Sequence, residues 1–183
     1  VDLTITTDNV TITITGDSDK RFGHSMAFLG TLVAGEAPFY AISEPFDSGN
    51  NDQGTLYFFL ESQFTAPLTT GDAIISLPGS VNQHRYGIFL ASGGDIDGDG
   101  LHDFIILSPQ APSDQVMIYF GKDYGSWNAG NIISYDSSFL TTDDTNDNYL
   151  AASMASIAGD LNGDGYDDNT ESTYGDCSMA GNR

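Results

Sequence analysis

The sequence predicts an all-β fold made of repeated, propeller-like blades of four strands. Three observations support this prediction: short β-branched and aromatic runs recur along the chain, helix signals are nearly absent, and two separate landmarks repeat at almost the same spacing. Many short strands separated by turn residues are typical of a sandwich, a barrel or a propeller. A repeat of blade size favours the propeller among these three.

The predicted strands are short runs bounded by Gly, Pro, Asp or Asn, which are turn-forming residues. Residues 10–15 alternate apolar side chains with Thr, and this period of two is typical of a strand with one buried face. The predicted strands are residues 3–6, 10–15, 55–60, 73–77, 104–107, 116–120 and 131–135.

The landmarks set the length of the repeat. Arg21-Phe22-Gly23 is echoed by Arg85-Tyr86-Gly87, 64 residues further on, and an acidic segment at Asp95 is echoed 65 residues later at Asp160. A unit of this length holding four strands has the size of a propeller blade. The predicted divisions are residues 1–20 as outer strands of a partial blade, 21–84 and 85–148 as two repeats, and 149–183 as a partial third repeat with an atypical tail from residue 169.

Each unit resembles the FG-GAP repeat of the integrin α-subunit N-terminal β-propeller. That repeat runs from Phe-Gly through an acidic, glycine-rich loop to a hydrophobic strand ending in Gly-Ala-Pro. Phe22-Gly23 and Tyr86-Gly87 match the first element, and the acidic segments match the loop. Residues 43–45 and 107–109 match the Gly-Ala-Pro element imperfectly. The resemblance covers about residues 10–168 and implies a calcium-binding propeller outside the cell.

The first unit departs from this pattern. Residues 30–38 stand where the acidic loop is expected and contain a single acid, Glu36. We therefore expect no metal in the first blade.

The acidic segments offer oxygen ligands at alternate positions. Calcium takes six to eight oxygen ligands, and a tight loop can supply side chains from positions 1, 3, 5 and 9 with a main-chain carbonyl from position 7. Glycines at positions 4 and 6 allow the sharp turn. Crowded carboxylates repel one another without a cation, so metal removal should loosen the blade. The predicted calcium ligands are Asp95, Asp97, Asp99, the Leu101 carbonyl and Asp103, and then Asp160, Asn162, Asp164, the Tyr166 carbonyl and Asp168.

Two alternatives exist for these segments. One is a solvated hairpin turn without an ion. The other is an EF-hand in the second loop, with Glu171 at position 12 and residues 150–158 as the entering helix. Against it, the first loop has Ile106 at position 12, and a predicted strand, not a helix, follows the first loop. Glu171 could still be an extra ligand, and His102, at position 8, is expected to point to solvent.

Charge excludes several partner classes. Asp plus Glu number 26 against 5 Lys plus Arg, a net charge of −21, which repels nucleic acid phosphates and anionic membranes. No apolar run is long enough for a transmembrane helix. The chain opens without a leader pattern, so any signal peptide is expected to have been removed. Cys177 is the only cysteine and is interpreted as a tail residue, with an intermolecular disulfide as the alternative.

Catalytic signals are weak. Gly23-His24-Ser25-Met26-Ala27 resembles a hydrolase nucleophile elbow, but it falls on the first strand of a repeat and has Ala27 in place of the closing glycine. No acid and base pair stands out, so the chain is predicted not to be an enzyme. Tyr124, Trp127 and Tyr135 could form an aromatic binding patch, although core packing is the simpler interpretation.

The predicted function is that of a secreted or cell-surface adhesion or scaffold module that binds a protein or a glycan. The alternatives are an accessory propeller of a secreted carbohydrate-active or phospholipase-type enzyme, and a subunit of an extracellular filament. A propeller needs about four to eight blades, and two whole units with partial ends cannot close. Self-association and membership of a longer chain both remain open.

Overall fold

The computed structural model describes residues 2–7, 10–46, 52–79, 85–108, 115–121, 134–135, 154–173 and 176–180. Within these ranges the chain is all-β, apart from two short 3-10 turns at Glu61–Gln63 and Thr70–Asp72, which confirms the predicted fold class. No helix in the described segments is long and apolar enough to span a membrane. The sheets do not close into a ring, as expected for an incomplete propeller.

The described strands are numbered in chain order. They are β1 Asp2–Thr7, β2 Val10–Thr15, β3 Met26–Gly30, β4 Phe39–Glu44, β5 Thr55–Leu60, β6 Leu68–Thr69, β7 Ile75–Pro78, β8 Phe89–Gly94, β9 Asp103–Ser108, β10 Gln115–Phe120, β11 Ser134–Tyr135, β12 Met154–Gly159, β13 Asp168–Thr173 and β14 Asp176–Ala180.

Three of the four sheets are antiparallel units that follow one another along the chain. The first unit has the order β3-β4-β5-β7, the second has β8-β9-β10-β11, and the third has β12-β13-β14. The first strands β3, β8 and β12 lie side by side, so β8 contacts both of the others. This arrangement places the turn between the first two strands of every unit along one edge of the array.

The tail from residue 169 was expected to interrupt the third repeat, but it contains two strands. Residues 169–175 lack the apolar pattern of a second strand, yet β13 pairs with β12 and with β14. Thr170 and Thr173 are β-branched residues, a type that is enriched in strands. Pairing by the backbone therefore extends the third unit beyond the point where hydrophobicity alone ended it.

The N-terminal strands form the fourth sheet. β1 and β2 make a hairpin, and β2 pairs in parallel with β6. Ile14 of β2 is fully buried in a cluster with Phe22, Ile42 and Phe59. The hairpin therefore covers the outward face of the first unit, and the alternation predicted for residues 10–15 is explained by Ile12 and Ile14 facing the core.

The main core lies between the first and second units. Phe58 of β5 meets Phe104 of β9 edge-on at 5.7 Å between ring centroids, and Phe104 stacks on Tyr119 at 5.2 Å. The hydroxyls of Tyr86 and Tyr119 hydrogen-bond to each other. Burying each aromatic side chain contributes about 1.5–3 kcal/mol, so this interface fixes the two units against each other.

The repeated Arg-aromatic-Gly landmark has one backbone conformation in both units. Arg21 and Arg85 have positive φ angles of 57° and 46°. The guanidinium carbons of these two residues lie 4.2 Å and 4.9 Å from the centroid of the Phe46 ring. The two landmarks therefore meet at one aromatic residue, which is a cation–π arrangement.

Candidate metal centre

The acidic segments are the turns between the first and second strands of the second and third units. Gly94 pairs with Asp103 and Gly159 pairs with Asp168, each beside an irregularity in the first strand. The first unit has the same register, because Gly30 pairs with Phe39 beside an equivalent irregularity. Three turns, residues 31–39, 95–103 and 160–168, therefore begin and end at equivalent places. We call these residues positions one to nine of each turn.

Strands flank both acidic turns. The segment proposed as an EF-hand entering helix contains strand β12, and β13 follows the second turn directly. The EF-hand alternative is therefore wrong, since that motif needs a helix on each side of its loop. Glu171 lies in β13, where its backbone pairs with Ala155 and Ser178; its side chain lies outside the described part of the chain, and its role as an extra ligand stays a prediction.

Three carboxylates converge in the first acidic turn. Oxygen atoms of Asp95, Asp97 and Asp99 all lie within 4.8 Å of one another. Asp95 organises the turn, because its Oδ1 accepts the Gly98 N–H at 2.7 Å and its Oδ2 accepts the Gly100 N–H at 2.8 Å. Gly98 and Gly100 have φ angles of 76° and 87°, a region that favours glycine.

The second acidic turn repeats this hydrogen-bond pattern. Asp160 Oδ1 accepts the Gly163 N–H at 2.6 Å and its Oδ2 accepts the Gly165 N–H at 2.9 Å. The position-three side chain, Asn162, accepts the Asp164 N–H at 2.9 Å, as Asp97 accepts that of Asp99 at 3.3 Å. Matching bonds at the same positions show that the two segments fold alike, despite the amide at Asn162.

Position nine is a buried acid in both acidic turns. Asp103 is 0% exposed, and its two oxygens accept the Ile96 N–H at 2.5 Å and the Gly121 N–H at 2.9 Å. Asp168 is also buried and accepts the Leu161 N–H at 2.9 Å. Burial raises the pKa of Asp103 to about 7, against the opposing effect of these N–H groups. Each acid ties the start of its turn to the second strand.

The other shifted acids report how charge is distributed. Partial burial, followed by the Asp99 charge, raises the pKa of Asp97. The Gly165 N–H is the main cause that lowers the pKa of Asp160, which lies at the surface. The first acidic turn therefore holds two acids, Asp97 and Asp103, that resist ionisation. A bound cation would offset the cost of burying their charge and the repulsion between carboxylates.

The donor set fits a hard cation. Carboxylate and amide oxygens stand at positions one, three, five and nine of both acidic turns, and such oxygens are the ligands preferred by Ca²⁺ and Mg²⁺. Leu101 and Tyr166 occupy position seven, and ligation by their carbonyls stays a prediction. Of the predicted ligands, the structure brings together the carboxylates of Asp95, Asp97 and Asp99, and convergence of Asp103 with them, or of Asp160, Asp164 and Asp168 with one another, stays a prediction.

The expectation for His102 was wrong. The Nδ1 atom of its ring accepts the Thr31 N–H at 3.1 Å, and its backbone N–H donates to the Thr31 carbonyl at 2.8 Å. It therefore faces the first unit and not the solvent. In the common register, Thr31 is position one of the first turn and His102 is position eight of the second, and no signal in the sequence indicates that these two positions meet.

Ser25 joins two units. Its hydroxyl accepts the Leu90 N–H at 3.1 Å, and its N–H donates to the Ser43 hydroxyl at 2.9 Å. These bonds link the residue before β3 to β8 and to β4, so the serine has a structural role. Of the predicted aromatic patch, Tyr124 and Trp127 lie outside the described residues, and only the backbone of Tyr135 is described, in β11.

Comparison with known proteins supports the resemblance. No family model matches the chain. A 94-residue stretch, 50% of the chain, is 34% identical to integrin alpha-PS3 of Drosophila melanogaster. A 97-residue stretch, 51% of the chain, is 34% identical to integrin alpha-PS5 of the same organism. About half of this chain is an integrin α-like region.

The predicted resemblance to integrin α FG-GAP repeats is thereby confirmed. The matched stretches are 8% and 9% of the two relatives' own lengths, so the integrin α-like region corresponds to a small part of each.

Proposed function

We propose that this chain is a calcium-stabilised module of an integrin-like extracellular adhesion or scaffold protein. The similarity to two integrin α-subunits supports the integrin-like character, and the acidic turns support the calcium. The module acts by binding and not by catalysis. Its partner is a protein ligand, with a glycan as the second class, and its net charge of −21 disfavours nucleic acid.

A single observation carries the calcium proposal. Phe39 and Asp103 occupy the same register position in their units, and both are buried, at 1% and 0% exposure. A buried carboxylate costs free energy unless a charge compensates it, whereas a buried Phe is stabilising. The turn can therefore be built with an apolar ninth residue, and the acid needs another reason. A divalent cation held by positions one, three, five and nine supplies that reason.

The ion supplies positive charge to oxygens that otherwise repel each other. Asp95, Asp97 and Asp99 would hold it from the solvent side, and Asp103 from below. The equivalent residues of the third unit are Asp160, Asn162, Asp164 and Asp168. Calcium is favoured over magnesium because magnesium dehydrates reluctantly and seldom uses a cage made only of protein groups. Since each turn joins the first two strands of a unit, ion binding stabilises the unit itself.

Calcium titration of the whole 183-residue chain tests the proposal. We expect two calcium ions per chain by isothermal titration calorimetry, and none at either turn in the double variant Asp97→Ala with Asp164→Ala. The matched control is Glu36→Ala, which removes the only acid of the first turn and should leave both sites intact. Absence of binding at millimolar calcium would refute calcium binding, and equal binding by the double variant would refute the acidic turns as its sites.

A further inference from the structure

The junctions between successive units share one pattern of hydrogen bonds. The position-eight residue of a turn bonds twice to the position-one residue of the preceding turn. His102 does this to Thr31, as described above. Asp167 does the same to Asp95: its Oδ2 accepts the Asp95 N–H at 2.8 Å, and its N–H donates to the Asp95 carbonyl at 3.0 Å.

A glycine makes room for each of these side chains. A Cβ placed on Gly30 would lie 2.7 Å from the His102 ring, and one on Gly94 would lie 2.7 Å from Asp167 Oδ2 and 2.2 Å from Ile157 Cγ2. These distances are too short for a real contact, so the position-eight side chain lies directly on the glycine that precedes the turn. We call the glycine and the position-one peptide the seat, and the position-eight residue the clasp.

A second contact joins the two acidic turns. A Cβ on Gly98, in the first acidic turn, would lie 2.4 Å from the ring of Tyr166 in the second. Ile157 of β12 packs against the cluster that contains Ile96, at position two of the first acidic turn, with Ile105 and Ile118. The two acidic turns therefore touch at Gly98 and Tyr166 and at the clasp, and the clasp bonds to the peptide of a predicted side-chain ligand, Asp95.

The third seat differs from the other two. Within the described residues, the only atom near a Cβ on Gly159 is Asp167 Oδ1 at 4.0 Å, and no partner for the Asp160 N–H occurs there. Leu161 at position two is 56% exposed, whereas its equivalents Leu32 and Ile96 are buried. In the described residues, the seats at Gly30 and Gly94 are therefore each covered by a clasp, and the seat at Gly159 is not. The Asp160 amide at this third seat serves as the reference for the other two.

We propose that Asp167 is a positioning residue for the first acidic turn, so that the two acidic turns bind calcium cooperatively. Asp167 holds the peptide of Asp95, whose carboxylate organises that turn. Ordering of the second acidic turn by an ion fixes Asp167, and this lowers the entropy that the first acidic turn loses on binding its own ion. Coupling between two sites is reciprocal, so an ion at the first acidic turn also favours binding at the second. The cooperative part of the proposal rests on the proposed calcium binding, and the clasp itself does not.

Amide hydrogen exchange of the calcium-free chain tests the clasp without any metal. Residue-resolved NMR of the wild-type chain should show the Thr31 and Asp95 amides exchanging at least about ten-fold more slowly than the Asp160 amide, which has the same turn position. Asp167→Ala should remove the protection of Asp95 and leave that of Thr31. His102→Ala should do the reverse. Equal exchange at all three amides in the wild-type chain would overturn the clasp, even if a variant failed to fold.

Calcium titration followed at the loop glycine amides tests the coupling site by site. Asp167→Ala should weaken calcium binding at the Gly98 and Gly100 reporters by about ten-fold, the loss expected for one hydrogen bond to a charged acceptor. Asp167→Asn keeps an oxygen acceptor and should restore most of the affinity, whereas a purely electrostatic effect of Asp167 would leave Asn as weak as Ala.

The outcomes separate the two proposals. Calcium binding that is unchanged in Asp167→Ala would overturn the coupling and leave the proposed calcium sites intact. Absence of calcium binding in the wild-type chain would refute the proposed sites and with them the coupling, while protection of the Asp95 amide would still establish the clasp.

Discussion

The turn at residues 31–39 and the turn at residues 95–103 connect equivalent strands, but their side chains have opposite chemistry. Position three is the fully buried Val33 in one and the exposed Asp97 in the other. Position nine is Phe39 in one and Asp103 in the other, both buried. The strand register and the bulge before the turn are the same in both units.

This contrast separates what the fold requires from what the acids add. The fold requires a turn of fixed length and a glycine before it. The first turn satisfies its core with Val33 and Phe39, so its stability comes from apolar burial. The acidic turn has carboxylates at positions three and nine instead, and their mutual repulsion and burial are what a bound cation would offset. The two turns should therefore respond in opposite ways to substitutions and to metal.

An acid at position nine of the first turn should have the largest effect on stability. Phe39→Asp should destabilise the chain by at least about 4 kcal/mol, because it removes a buried ring and buries a carboxylate without a cation site. Urea unfolding with and without calcium measures this, and calcium should give no rescue. Phe39→Leu is the matched control and should cost only about 1 kcal/mol. Rescue of Phe39→Asp by calcium would contradict the distinction between the turns.

Calcium removal should affect the acidic turns and spare the first one. At a calcium concentration a hundred-fold above the dissociation constant, each site contributes about 2.7 kcal/mol, which a chelator removes. Thermal unfolding measures the total loss. Hydrogen exchange should locate the loosening in residues 95–103 and 160–168, with residues 31–39 unchanged. Uniform loosening of all three turns would argue that the ion acts on the whole chain.

The residue at position three differs between the two acidic turns. Asn162 supplies an amide oxygen where Asp97 supplies a carboxylate. Because calcium affinity rises with the charge of the ligands, Asn162→Asp should tighten calcium binding at the second acidic turn by about ten-fold. Asp97→Asn should weaken calcium binding at the first acidic turn by a similar factor. Calcium titration followed at Gly100 and Gly165 resolves the two sites, and equal affinities in all variants would refute this role for position three.

The pH dependence tests the buried acid at position nine of the first acidic turn. The pKa of Asp103 is raised to about 7, so the metal-free folded state keeps a proton that the unfolded state loses near pH 4. The contribution of Asp103 to stability is therefore highest below about pH 4 and falls as pH rises to about 7. Calcium needs the ionised form, so its affinity should rise over the same range.

Urea unfolding of calcium-free protein at pH 5 and pH 7.5 measures this dependence. Asp103→Asn should flatten it, because the titrating group is gone. A calcium-free stability that rises over this interval, with the same slope in the variant, would contradict a burial effect at Asp103.

Local signals in the sequence predicted many strands. Strands β2 and β5 have the predicted bounds, because alternation and turn residues act over a few neighbouring positions. The strand predicted at residues 73–77 begins later, at Ile75, because a 3-10 turn at residues 70–72 precedes it and the Asp72 carboxylate accepts the Thr69 N–H at 2.8 Å.

The first strands of the units were harder to predict. β3, β8 and β12 contain small residues such as Ala27, Ala91 and Ala155, which have weak strand propensity. These strands lie side by side, so close approach favours small side chains there. Tertiary packing therefore decides their conformation, and a propensity argument cannot detect it.

The candidate site was predictable within each turn but not between turns. The spacing of acids and glycines specified the internal geometry, because every bond of the turn joins residues a few positions apart. The bonds of His102 and Asp167 reach back 71 and 72 residues. No local pattern distinguishes a position-eight side chain that faces water from one that faces the preceding unit, and only the relative placement of the units decides it.

The contact of Arg21 and Arg85 with Phe46 joins the first two units without any carboxylate at its centre. Cation–π attraction to a ring does not depend on a divalent ion, and the aromatic core between these units does not either. The junction between the second and third units, by contrast, includes the two acidic turns beside the contact of β8 with β12. We therefore expect a drop in calcium to loosen this junction more than the junction between the first two units.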